Sequence, residues 1–136
     1  MADAVTSETL VDSNSHAVMR FRSVSDGSGE SAVVKVDVSA LGGNTVGSPT
    51  IACSLVTIEQ IWFNTVGMSV ELFWNASTNV SCRKIKIDSE GYLDFRNFGG
   101  LVNNAGSGVN GDLLLTTTGH SNTDTYDIIL SMRKQY

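Results

Sequence analysis

His16 and His120 are the only histidines in the 136-residue chain, so proton-transfer chemistry near neutral pH has few candidate residues. Neither lies in a nucleophile motif, and no G-x-S-x-G elbow is present. His120 stands in a polar turn, where it reads as a solvated loop residue. The two thiols, Cys53 and Cys82, sit in apolar or basic strand-prone stretches without the C-x-x-C or Cys/His spacing of a zinc site. They are expected to be buried thiols rather than a disulfide. The acidic pairs Asp26/Glu30, Asp88/Glu90 and Asp124/Asp127 fall at turn sequences, where carboxylates make local Asx-type hydrogen bonds, and none has the ligand count of an EF-hand loop. Gly106 to Gly111 spells G-x-G-x-x-G, but DLLLTTT follows it. A dinucleotide site needs a helix there, because the helix N-terminus holds the pyrophosphate. The expectation is no catalytic residue, no metal and no cofactor: a protein that binds rather than an enzyme.

Two residue sets are suited to binding. Arg20, Arg22, Arg83, Lys84 and Lys86 form a basic concentration in a chain of net charge −5. They can be a solvated strand face, pair with an acidic protein neighbour, or protect a sheet edge from unwanted pairing. The aromatics Trp62, Phe63, Phe73, Trp74, Tyr92, Phe95 and Phe98 serve either the core or an assembly contact, because aromatics are enriched at interface centres. The candidate interface residues are Leu10, Val11, Phe63, Phe73, Arg83, Lys84, Lys86 and Phe98. The acidic balance disfavours a phosphate-binding groove and hence nucleic acid. The N-terminus lacks the basic and apolar regions of a signal peptide, and no run approaches the ~18 apolar residues of a membrane span. The expected product stays in the cytosol in which it is made, and the sequons Asn75-Ala76-Ser77 and Asn79-Val80-Ser81 are coincidental on that reading.

Strands must position these groups. Residues 58–76, IEQIWFNTVGMSVELFWNA, hold both tryptophans, and two apolar-rich runs flank Asn64-Thr65-Val66-Gly67, which reads as the turn of a hairpin. On the return run Met68, Val70, Leu72 and Trp74 alternate with Ser69, Glu71, Phe73 and Asn75. On the outgoing run Ile58, Gln60 and Trp62 share one face, and Glu59, Ile61 and Phe63 the other. Each run thus carries an aromatic on both faces, which suits a strand covered on both sides. Phe73 and Phe63 are left seeking cover.

Residues 16–25 alternate Ala17, Met19 and Phe21 against Val18, Arg20 and Arg22. Residues 30–38 form a second strand with Ala32, Val34, Val36 and Val38 inward and Lys35 and Asp37 outward, making a first hairpin. Loop 42–49 contains the only proline. Strand-prone runs follow at 50–56, with a bulge near Thr57, then at 80–87, 92–95, 112–118 and 125–134. In run 80–87, Arg83, Ile85 and Ile87 oppose Cys82, Lys84 and Lys86; in the last, Tyr126, Ile128, Leu130 and Met132 share a face. The Gly- and Asn-rich stretch 97–111 is a long loop. The expected fold is all-β: an antiparallel sandwich of eight or nine short strands, jelly-roll-like, without substantial helix. Residues 1–15 form an arm or edge strand, and 16–136 a single domain.

Where VVKVDVSAL, IWFNTVGMSVELFWNAST and EGYLDFRNFGGLVNNAGSG stand together, the chain resembles small virion structural proteins of tailed bacteriophages, especially marine and cyanobacterial phages. The resemblance runs from about Ala4 to the C-terminus and brings no catalytic motif. It implies a capsid decoration or cement protein on the virion surface, made in the host cytoplasm, that clamps joints between major capsid subunits as a homo-oligomer, often a trimer. Phage neck or tail proteins, and a carbohydrate-binding sandwich using exposed aromatics and Asn/Asp-rich loops, share these features.

Overall fold

A computed structural model describes residues 4–27, 30–41, 53–103, 106, 108, 111–119 and 121–135. Loop 42–49 and His120 lie outside the described residues, as does the side chain of Phe98. Among the described residues nine strands follow one another: β1 (Ala4–Asp12), β2 (His16–Asp26), β3 (Val33–Val36), β4 (Leu55–Val66), β5 (Ser69–Trp74), β6 (Val80–Ile85), β7 (Glu90–Asp94), β8 (Leu113–Thr118) and β9 (Asn122–Gln135). Short 3₁₀ turns span Val38–Ala40 and Arg96–Phe98. The strands form two antiparallel sheets, ordered β1-β2-β9-β4-β7 and β3-β8-β5-β6. The pairs nest, β5 with β6, β4 with β7, β3 with β8 and β2 with β9. The chain therefore behaves as one long antiparallel ribbon wrapped across itself, an order consistent with a jelly roll.

Alternation explains the core. Ala17, Met19 and Phe21 of β2, Val70, Leu72 and Trp74 of β5, and Tyr126, Ile128, Leu130 and Met132 of β9 are all buried. With Ile58, Ile61, Leu113 and Leu115 they make one cluster between the sheets. Each fully buried large apolar side chain contributes roughly 1.5–3 kcal/mol relative to exposure.

The expected pairing of neighbouring runs is corrected. Runs 58–66 and 68–74 do not form a hairpin: β4 joins β9 and β7, whereas β5 joins β8 and β6. Their apolar sides, Ile58 and Ile61 on one and Val70, Leu72 and Trp74 on the other, share one core cluster, a burial that edge-to-edge pairing alone would not supply. Gly67 makes the corner at φ +80°, and its N–H donates to Asp88 Oδ1 at 2.7 Å. The first expected hairpin fails likewise, since β2 lies between β1 and β9 and β3 pairs with β8.

Bulges correct three faces. A register shift between Ile58 and Gln60 puts Ile58 and Ile61 on the same buried side. Trp62 then turns outward, 38% exposed, and Phe63 turns inward against the core. A shift between Val34 and Val36 buries Lys35, expected outside, and exposes Val34, expected inside. Ala32, also expected inward, is exposed with φ +49°. On β6 the shift opposite Leu72/Phe73 keeps Val80, Cys82 and Ile85 toward the core, while Ile87, beyond the strand end, is exposed.

Residues 4–12 form the outer strand β1 along β2, with a register shift between Thr9 and Val11. Leu10 and Val11 are about half exposed there. Arg22 reaches Glu8 at 2.7 Å, and the buried Lys134 ammonium pairs with Asp12, which ties the strand to the body.

Candidate functional site

The nine lysines and arginines divide sharply. Arg20 pairs with Asp127 at 2.6 Å, Arg22 with Glu8, Lys35 with Glu30 at 2.5 Å, Arg96 with Asp94 at 2.8 Å, Arg133 with Glu59 at 3.5 Å and Lys134 with Asp12. Arg83, Lys84 and Lys86 make no ion pair among the described residues, and all three are exposed. The basic set read from the sequence is thus split: Arg20 and Arg22 are neutralised on the five-stranded sheet, while the other three crowd the edge of the four-stranded sheet.

That edge is open among the described residues, where β6 pairs only with β5. Its inward residues anchor the strand, so the cations between them must project to solvent. Two cavities adjoin it: about 300 Å³ beside Phe63, Arg83, Lys86 and Glu90, and about 470 Å³ beside Lys84, Lys86, Ile87 and Thr118. Half-exposed Ile87 supplies an apolar contact next to the charges. An acidic neighbour is attracted by such an edge, while another copy of the same edge is repelled.

The other expected contact residues scatter. Leu10 and Val11 lie on β1 at the far edge of the other sheet. Phe63 packs inward, a correction to its place on an uncovered face. Phe73 is half-buried between fully buried Leu72 and Trp74, so it lies on the outer face of the four-stranded sheet. A stacked pair went unread in the sequence. Trp62 and Tyr92 lie 5.0 Å apart between ring centroids at 29°, on the outer face of the five-stranded sheet. The signal for Tyr92 was present, because Leu93 and Phe95 pack on the core and alternate with Tyr92 and Asp94. The signal for Trp62 was masked by the bulge at Glu59.

Groups able to move protons occur in two places. His16 joins Ser15 Oγ to Nδ1 at 2.9 Å and Glu59 Oε1 to Nε2 at 3.1 Å. This hydroxyl–imidazole–carboxylate chain sits on the exposed turn between β1 and β2, and Arg133 also engages Glu59. It crosslinks the strands β2, β4 and β9. Within the protein, the Glu30 carboxylate accepts from Lys35 and from the Tyr126 hydroxyl, and the three side chains are almost fully buried. Such a pair holds because each charge finds its partner inside.

Both cysteines are free. Burial pushes the Cys82 thiol up to about 12 against a smaller opposing pull from Arg83, and burial also raises Cys53. Neither is poised as a nucleophile. Arg96 holds the Asp94 carboxyl well below the usual range through paired hydrogen bonds. Among the described residues, no group of three or more His, Cys, Asp or Glu side chains is placed to hold a metal ion. After Gly111 the chain enters strand β8 rather than a helix, so the glycine pattern lacks the helix N-terminus that a dinucleotide needs. Compared with family models and with curated proteins, the chain matches none.

Proposed function

We propose that this chain is a non-enzymatic structural protein of a tailed-phage virion, a decoration or cement protein that binds the outside of the major capsid lattice. Its copies act as a homo-oligomer, trimeric as the resemblance implies. The observation that carries the reading is the β6 edge: in an acidic protein whose other cations are all paired, three adjacent cations face solvent beside an exposed isoleucine. Like charges disfavour pairing of two copies through this edge, and an acidic lattice surface is what satisfies them.

Exposed pairs contribute roughly 0.2–1 kcal/mol each, so three supply steering and register, and apolar contact must supply the rest of the affinity. Binding stabilises the shell by mass action, since a ligand that prefers the assembled lattice raises the free energy needed to rupture it. Mass spectrometry of purified particles, with copies counted against the major capsid protein, tests the assignment. Hundreds of copies per particle agree with decoration; a few to about a dozen would move the protein to the neck or tail.

A further inference from the structure

We infer that the outer face of the five-stranded sheet carries a binding subsite for a neutral carbohydrate, with the stacked Trp62 and Tyr92 rings as its platform. The platform lies on the opposite sheet from the basic edge, the two regions meeting at Phe63 and Glu90, and sugar binding is measured separately from lattice binding.

The register builds it row by row. Trp62 of β4 faces Tyr92 of β7 on one side and Ile129 of β9 on the other, which gives an apolar row across three strands. In the adjacent row on the same face, Asn64 lies between Glu90 and Asp127. Two residues along the strand in the other direction, Gln60 lies between Asp94 and Ser131. An aromatic strip is therefore flanked on both sides by amides, carboxylates and a hydroxyl. A shallow cavity of about 250 Å³ opens where the strip meets the Asn64 row.

This pattern fits the two-sided chemistry of a pyranose. One ring face presents C–H groups, which pack on an aromatic surface, and the rim presents hydroxyls, which need acceptors and donors at fixed positions. The platform is preorganised. Gln60 Nε2 donates to the Tyr92 hydroxyl, and the rings brace each other, so little side-chain freedom remains to be lost on binding. Asp127 is fixed as well: Arg20 donates from Nε to Oδ1 at 3.0 Å and from Nη2 to Oδ2 at 2.6 Å. A carboxylate held this way keeps lone pairs for ligand hydroxyls.

Charge narrows the ligand. Arg96 takes up Asp94 and Arg20 takes up Asp127, so Glu90 is the carboxylate beside the platform with no ion pair among the described residues, and it repels an anionic sugar or a phosphate. A cationic ligand, which an aromatic face otherwise attracts, meets the Arg20 guanidinium next to Asp127. A nucleobase would stack equally well, but its phosphates would find no unpaired cation among the described residues of this face, Arg83, Lys84 and Lys86 lying past Glu90 at the edge of the other sheet. A neutral polyhydroxylated ring remains.

The test uses the full chain against a panel of neutral oligosaccharides, glucans, mannans and galactans, with sialylated and sulfated glycans as the acidic arm. Binding is read by isothermal titration and by indole fluorescence. At least one neutral oligosaccharide is expected to bind in the ~mM to μM range typical of a shallow site. Trp62→Ala should weaken it at least about tenfold, Asn64→Ala by a smaller factor, and Phe73→Ala on the other sheet should leave it unchanged. A circular-dichroism melt establishes that each variant folds, and Asn64→Ala, at an exposed position, keeps the test alive if Trp62→Ala does not. No binding across the panel, binding of acidic glycans alone, or binding unaffected by both substitutions would each overturn the proposal.

Discussion

Lys35 shows how one buried residue sets a demand on its neighbours. Its ammonium, the Glu30 carboxylate and the Tyr126 hydroxyl satisfy one another in the interior, so removing either ion strands the other's charge, and removing the hydroxyl costs one hydrogen bond. Lys35→Met should cost about 3–5 kcal/mol in chemical denaturation, and Tyr126→Phe about 1–2 kcal/mol. The double variant Lys35→Met with Glu30→Leu should recover much of the loss, because it removes both charges together. Cys82 makes a separate demand on pH. Below the ordinary thiol range near 8.5, folded and unfolded chains both hold the proton and the thiol adds no pH dependence. As pH rises from there toward about 12, the unfolded chain ionises first and is favoured, so stability falls. Melting temperatures measured from pH 8 to 11 should drop more steeply for the natural protein than for Cys82→Ala.

At the scale of elements, the corner between β4 and β5 turns on Gly67. At φ +80° a side chain is strained, and a Cβ there would lie 2.1 Å from Asp124 Oδ1, whose carboxylate is held by the Ser121 N–H and hydroxyl. Gly67→Ala should destabilise the fold by about 2 kcal/mol or more in urea titration, without changing the sheet content seen by circular dichroism. Strands with unbroken alternation were legible in the sequence: β2, β5 and β9 present the faces that period two assigns them. Strands β3, β4 and β6 were not, because one inserted residue inverts every face beyond it and leaves no compositional mark. Lys35 and Trp62 were misplaced for that reason alone. The basic edge was half legible: Arg83, Lys84 and Lys86 stood out by type, but that they make no ion pair among the described residues depends on where distant acids fall.

For the whole molecule, the all-β class followed from regular turn punctuation, whereas the strand order did not. A turn signal says that the chain reverses, and reads the same for a hairpin as for an arch into the opposite sheet. Here the arch was chosen at 64–67 because β4 and β5 each carry an apolar side that the other can bury. The same wrapping sends the basic β6 edge and the Trp62–Tyr92 shelf to different sheets. The central claim, that the β6 edge docks on an acidic lattice, is tested most directly by occupancy on capsids. Shells stripped of this protein are incubated with the natural chain or with the variant carrying Arg83→Glu, Lys84→Glu and Lys86→Glu, at rising salt, and bound copies are counted against the major capsid protein. The natural chain should fill the lattice at low salt and release as salt increases, with the folded variant at least tenfold weaker. Equal, salt-insensitive occupancy by the two proteins would contradict it.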